Sequence, residues 1–301
     1  MSFPKWIWAC LMLACLTVTP FVVHAASPTY DAIYVFGDSY CDVGNIFFAT
    51  SVAQPPSPYP PSPPYFAGRF SNGPIWVEHV ASAMGLPMLP SLKGGTDYAF
   101  GGAWVTQPQV TPQGTIPDVP QQVGLYLSQH GGKADPNALY ILEGGGNDIV
   151  GNLSSGISAS QLGFEIAAGI SEGELLLRRG GAKNFLIPDL LNVGLLPAAQ
   201  ANPSFATAAS LATNKSLNSL LAIEGFLEGI RIRRLPVFAL IQAIQTDATH
   251  FGFTNITTPC LNPITLAVCS DQDHTFFWDT FHPTEFGHAD FAVTVETVLN
   301  Q

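Results

Sequence analysis

Short, unbroken apolar runs alternate along the chain with longer stretches in which apolar residues recur every three or four positions. Ala32–Phe36 and Ala138–Leu142 are apolar throughout, which suits strands buried on both faces of a parallel sheet. Asn184–Ile187, closed by Pro188, and Val237–Ile241 predict a third and a fourth strand. Ile75–Met84, Val119–Gln129, Ser160–Arg179, Ser204–Ile230 and Thr284–Leu299 carry helical spacing. Gly180-Gly181 stops the Ser160–Arg179 helix, and Pro283 stands at the start of the last one. Strands alternating with helices imply βαβ units, and so an α/β chain folded as a three-layer α/β/α sandwich around a central parallel sheet. No repeat and no linker composition breaks the pattern, so residues 26–301 are expected to form a single domain.

The segments between these elements divide by composition. Pro55–Pro64 holds seven prolines; it is excluded from helix or central strand and is expected to be an extended surface loop. Gly68–Gly73 (Gly-Arg-Phe-Ser-Asn-Gly) is expected to turn. Met1–Ala26 is of another kind. Lys5 supplies a basic start, Ile7–Val18 an apolar core, and Val23-His24-Ala25 small residues suited to cleavage after Ala25. These features define a signal peptide, residues 1–25, and a secreted or periplasmic product. The apolar run is too short to span about 30 Å of hydrocarbon comfortably. An anchor through Cys15 fits poorly, because Met12-Leu13-Ala14 is a weak lipidation box.

Cleavage removes Cys10 and Cys15 and leaves Cys41, Cys260 and Cys269, enough for one intramolecular bridge in an oxidising compartment. Cys260 and Cys269 enclose a turn-prone Asn262-Pro263 and are the expected pair; Cys41 is expected as a buried free thiol. Leu261, Ile264, Leu266 and Val268 inside the bridged loop are apolar. They would suit a lid or an acyl-chain wall, or else simply pack on the core.

Of the 301 residues 47% are hydrophobic and 11% charged, with a formal net charge of −11. Disorder is excluded by the apolar content, and the charge argues against a nucleic-acid partner or docking on anionic lipid. Chemistry concentrates in three places: Gly37-Asp38-Ser39 after the first strand, Gly145-Gly146-Asn147-Asp148 after the second, and Asp279-Thr280-Phe281-His282 before the last helix. Ligands in open parallel sheets bind beyond the carboxyl ends of the strands. A serine hydroxyl needs an adjacent base to become a nucleophile. His282 can be that base, Asp279 can fix its tautomer, and Asn147 with backbone N–H groups of Ser39 and a glycine can bind the oxyanion. No Gly-x-Ser-x-Gly elbow occurs, which counts against an α/β-hydrolase. No His-Glu-x-x-His or Cys-x-x-Cys occurs either, so neither a metal nor a cofactor is expected. His274 and His288 are expected to be structural, Asp38 to orient its turn and Asp148 to brace its loop.

The chain resembles the SGNH hydrolases, also called the GDSL family of esterases and lipases. Val35–Ser39 with Asp42-Val43-Gly44-Asn45 is similar to the first family block, Asp97–Ala103 to the second, Gly145–Asp148 to the third and Asp279–Thr284 to the last. Tyr40 stands where the family name has Leu. The resemblance implies a flavodoxin-like sandwich, catalytic Ser39, Asp279 and His282, and an oxyanion hole of Ser39, Gly101 and Asn147. It also implies a lipid ester substrate, lysophospholipids foremost, with transient contact at a membrane surface or micelle. It implies as well that the same acyl-enzyme could pass its acyl group to an alcohol as a side activity. The alternatives are a carbohydrate or aryl-ester deacetylase and a non-catalytic binding protein; a dead scaffold would normally lack one of Ser39, Asn147, Asp279 and His282, and all four are present.

Overall fold

A computed structural model describes residues 30–300 except 54–55, 113 and 225–228; the expected signal segment, with Cys10 and Cys15, lies outside the described residues. The chain runs β1 (Ile33–Phe36), α1 (Asn45–Ser51), α2 (Trp76–Ala83), β2 (Gln109–Thr111), β3 (Gly114–Ile116), α3 (Val119–Gln129) and β4 (Leu139–Leu142). It continues through α4 (Gly146–Gly151), α5 (Ala159–Gly180), β5 (Asn184–Pro188), α6 (Pro203–Glu224), β6 (Arg231–Leu235), α7 (Val237–Thr246) and α8 (Glu285–Leu299). Strands β1, β4, β5 and β6 form one parallel sheet in the order β1-β4-β5-β6. Helices flank it in two groups, α5 packing between α3 and α6, and α2 packing on α8. This is the expected central parallel sheet between helical layers. Strands β2 and β3 form a separate antiparallel hairpin.

Local chemistry explains several boundaries. The Asp118 carboxylate accepts the Gln121 N–H and caps α3, with Pro120 in the first turn. Ser158 caps α5 in the same way, and Gly181 closes it in the left-handed region at φ 113°. All four residues of β4 are buried, as a strand covered on both faces requires.

The fourth strand is not Val237–Ile241. That run opens α7, where Val237, Ile241 and Ile244 are buried at helical spacing; five apolar residues alone do not distinguish a strand from a buried helix. The strand is Arg231–Leu235, at the sheet edge. Three arginines hid it, and an edge tolerates them: Arg234 donates to the Ile187 carbonyl and pairs with Asp189 at 2.5 Å. Helix α6 is described to Glu224, and Ile230, the expected end, lies outside any helix. Helices α1 and α4 and the β2–β3 hairpin have no counterpart among the elements that the spacing predicts.

Candidate active site

Strands β1 and β4 run in register, Phe36 opposite Leu142, so Gly37-Asp38-Ser39 and Glu143-Gly144-Gly145 leave the sheet side by side. Gln122 of α3 fastens the exit of β1, accepting from Gly37 N at 2.8 Å and donating to Gly37 O at 2.9 Å. Asp38 Oδ1 then accepts the Tyr40 N–H at 3.0 Å and shapes the turn that presents Ser39. Asp42 is fully buried and accepts N–H groups from Gly44, Asn45, Ile46 and Gly101. Asn45 donates to the carbonyls of Asp97 and Ala99, and Asp97 accepts from Val43 N. The motif residues Asp42, Asn45 and Asp97 therefore bind the Ser39 turn to the 97–103 loop.

His282 comes from a tight loop closed by Trp278 N donating to His282 O at 2.8 Å. Its Nε2 lies 2.7 Å from Ser39 Oγ, and its Nδ1 lies 2.8 Å from both oxygens of Asp279. Asp279 also accepts from the N–H groups of Phe281 and His282 and from the Tyr65 hydroxyl at 2.8 Å. Burial alone would raise the Asp279 carboxyl, but the imidazole and the two backbone N–H groups outweigh it and leave its pKa below the ordinary value. An Nδ1–H donated to Asp279 leaves the Nε2 lone pair facing the serine hydroxyl. Phe70 covers the imidazole at 5.0 Å between ring centroids. Ser71 and Asn72, in the Gly68–Gly73 turn, grip the start of α8 through Pro283 O and Glu285 N.

Asn147 stands in the first turn of α4 and donates from Nδ2 to Ala103 O at 3.0 Å and to Asp38 Oδ2 at 3.1 Å. Gly145 precedes it at φ 111°, with Ile166 too close for a side chain. Asp148 braces the neighbouring loop through Val105 N, Thr106 N and Thr106 Oγ1. Gly101 does not offer a free donor: its N–H goes to Asp42 Oδ2 at 2.8 Å. Among the described residues the N–H groups of Ser39 and Gly102 have no acceptor. Gly101 is needed for another reason, since a Cβ there would lie 2.3 Å from Phe70.

Two further acids face this corner. Glu143 Oε2 lies 3.4 Å from Asp38 N and 3.6 Å from the free, buried Cys41 thiol. Burial lifts Asp38 to about 6. Burial, then the Asp38 charge, lifts Glu143 well above the usual carboxylate range. His288 is buried beside Tyr40, and burial holds its pKa down to about 3. His274 is exposed and pairs with Asp271 at 2.6 Å.

Cys260 and Cys269 form a disulfide. Leu261 N donates to Trp278 O at 2.7 Å, and Leu261 is buried with Trp278 and Tyr65. Ile264, Leu266 and Val268 are exposed. The loop thus braces the segment that carries Asp279. A cavity of about 320 Å³ opens elsewhere, between α1, the proline-rich segment at Ser57 and Tyr59, the turn Phe100–Gly102 and the β2–β3 hairpin. Sequence reading missed Tyr65, Phe70, Gly102 and Glu143. The Gly68–Gly73 motif was the one signal near Phe70, and a lone tyrosine or the glutamate closing a strand carries none.

A hydroxyl, an imidazole and a carboxylate thus stand in line where β1 and β4 leave the parallel sheet. The profile of the GDSL-like lipase/acylhydrolase family matches residues 33–293, and the chain belongs to that family. The chain is 29% identical over 283 residues to a thermolabile hemolysin of Vibrio parahaemolyticus (85% of this chain, 60% of the relative). It is 31% identical over 199 residues to a phosphatidylcholine-sterol acyltransferase of Aeromonas hydrophila (65% and 54%). The chain thus spans little more than half the length of these two relatives. A GDSL esterase/lipase of Arabidopsis thaliana is 28% identical over 339 residues, with 91% and 89% covered. A lipolytic protein of the G-D-S-L family from Veillonella parvula superposes with a TM-score of 0.49 at 14% identity, covering 89% of this chain and 97% of its own. Among the described residues no helix is long and apolar enough to cross a membrane.

Proposed function

We propose that residues 26–301 form one secreted or periplasmic serine ester hydrolase domain acting on lipid acyl esters, lysophospholipids foremost, after removal of residues 1–25. The observation that carries this reading is the contact of His282 Nε2 with Ser39 Oγ at 2.7 Å, with Asp279 behind the other ring nitrogen. Ser39 Oγ bonds to the ester carbonyl carbon while its proton passes to His282 Nε2. The carbonyl oxygen becomes an oxyanion held by the N–H groups of Ser39 and Gly102 and by the Asn147 amide, which gives up a contact to Ala103 or Asp38 for it. Collapse breaks the bond to the alcohol oxygen, which leaves with the proton from His282. Water then attacks the acyl-enzyme, gives its proton to His282, and the acid departs as Ser39 regains its hydrogen. Asp279 stays ionised and orients the imidazole, and its lowered pKa suits that role.

Lipid esters are favoured over acetylated sugars because the cavity beside Gly102 is walled mainly by carbon. An alcohol in place of water would receive the acyl group, as the name of the Aeromonas hydrophila relative suggests. The test assays the mature protein and its Ser39→Ala variant on lysophosphatidylcholine, a diacyl phosphatidylcholine, a short nitrophenyl ester and an acetylated sugar. Fatty acid release from the lysolipid, lost in the variant, is expected. Release from the acetylated sugar alone would replace the lipid reading with a deacetylase, and hydrolysis surviving in the variant would overturn Ser39 as nucleophile.

A further inference from the structure

We propose that the cavity between α1, Ser57–Tyr59 and the β2–β3 hairpin binds the acyl chain of the ester, a single unbranched hydrocarbon chain, and that α1 and the hairpin set its usable length. This rests on the reading that Ser39 attacks the carbonyl, and it assigns the two halves of the substrate to opposite sides of that carbon.

Position comes first. Gly102 carries a free N–H and is also part of the cavity wall. One residue further on, the Ala103 carbonyl holds the Asn147 amide. A carbonyl oxygen received by these donors therefore sits at the cavity's edge, and a substituent on that carbon can enter it.

The substituent is fixed by proton chemistry. The leaving alcohol oxygen must lie within reach of His282 Nε2, the group that protonates it. No residue of the Asp279–Pro283 loop lines the cavity. Phe70 stands between, its ring 5.0 Å from His282 on one side and 5.5 Å from Tyr59 of the cavity wall on the other. The alcohol stays on the imidazole side of Phe70, and the acyl group is left with the cavity.

The lining suits hydrocarbon. Ile46, Ala49, Phe100 and Ile116 supply carbon, and no charged residue takes part. The hydroxyls present are partly spent on the protein: Thr50 donates to Ile46 O at 2.7 Å and accepts from Tyr59 N, and Thr111 donates to Gly114 O. A phosphate or an ammonium headgroup would enter without a charged partner, at a cost in desolvation. An acetyl group would leave most of about 320 Å³ unfilled, near the lower end for small-molecule sites and suited to one chain. Each buried methylene should tighten binding about fourfold, from about 0.8 kcal/mol per CH₂.

The hairpin is the adjustable wall. Val110 is 86% exposed, while Ile116 turns inward and would meet a Cβ on Gly102 at 3.4 Å. On α1, Ile46 already touches the Gly101 position; Ala49 sits nearly one turn further along the same helix, away from the carbonyl, so bulk added there shortens the cavity.

The experiment compares the parent protein with Ala49→Phe, Ala49→Leu and Ile116→Ala on nitrophenyl acetate, butyrate, octanoate and palmitate, and on the isomeric pair ethyl decanoate and decyl acetate. In the parent, kcat/KM should rise with acyl length and then level off. Ala49→Phe should lower the octanoate-to-acetate ratio of kcat/KM tenfold or more, Ala49→Leu by less, and Ile116→Ala should move the plateau to longer acids. Ethyl decanoate should suffer more than decyl acetate. Equal loss across all acyl lengths, or a greater loss on decyl acetate, would overturn the assignment; the latter would give the cavity to the alcohol. Ser39→Ala is run in parallel: activity that disappears there while the chain-length profile ignores Ala49 overturns the cavity assignment alone, and activity that survives there overturns the nucleophile instead.

Discussion

The two sides of Ser39 are built by different rules. On the imidazole side every group is fixed several times over. Asp279 accepts hydrogen bonds from two backbone N–H groups, an imidazole and the Tyr65 hydroxyl, and the disulfide loop lies along the segment that delivers it. On the other side the cavity is closed by a short hairpin, with Val110 in solvent and the walls held by dispersion. Proton transfer depends on distance and direction to tenths of an ångström, so its groups must be over-determined. Hydrocarbon binding is non-directional and asks only for volume and dryness. Positional accuracy is concentrated where direction matters.

The sharpest way to break this contrast is at the directional side. Ser39→Ala and His282→Ala should each remove nearly all turnover, by about 10⁴-fold or more, and the double variant should be little worse, because the two act as a unit. Fully additive losses in steady-state kinetics would separate their roles. Asp279→Asn should cost up to about 10⁴ in rate with the fold intact, through the wrong tautomer. Asn147→Ala should lower kcat by about 10²–10³ with KM nearly unchanged; a higher KM at constant kcat would make Asn147 a ground-state contact.

Smaller effects probe the backbone beneath the site. Gly145→Ala combines φ 111° with a Cβ 2.7 Å from Ile166, whereas Gly146 has open space around it. In thermal melts Gly145→Ala should lose roughly 1–3 kcal/mol and Gly146→Ala almost nothing; equal losses would mean that the glycine run is not read residue by residue. The smallest expected effect concerns Asp38. Its pKa is raised to about 6, first by burial, against partial relief from Tyr40 N and His282. A raised carboxyl contributes stability that is full below its unfolded value, about 3.9, and is lost as pH rises through about 6. Asp38→Asn removes that loss, so its Tm relative to the parent should improve by several degrees between pH 4 and pH 7. A difference independent of pH would show that Asp38 does not titrate in that window.

Much of this was legible before folding. The buried strands β1, β4 and β5 announce themselves as unbroken apolar runs, and α3 falls on Val119–Gln129 as expected, because burial on a regular element leaves a periodic trace. The Cys260–Cys269 bridge followed from counting, since three cysteines allow one local pair. The edge strand Arg231–Leu235 was hidden because an edge need not be apolar, and Val237–Ile241 misled because a short apolar run suits a buried helix face equally well.

The reactive residue types and their order, Ser39 first, Asn147 next, Asp279 and His282 last, can be read along the chain, because each proposed role requires a functional group that few side chains possess. Which glycine of the Gly101-Gly102 pair keeps its N–H free is settled by folding alone, since it depends on the buried Asp42 reaching Gly101 from 59 residues away. The tertiary structure also decides where the apolar cavity lies. The disulfide loop and the β2–β3 hairpin both carry apolar residues in the sequence, but Leu261 of the first packs with Trp278 and Tyr65 while Ile116 of the second lies against Gly102. A cavity is a property of surfaces that meet in space, contributed here by two stretches well separated in the chain, Ile46–Tyr59 and Phe100–Ile116, and no local pattern records how those surfaces are placed.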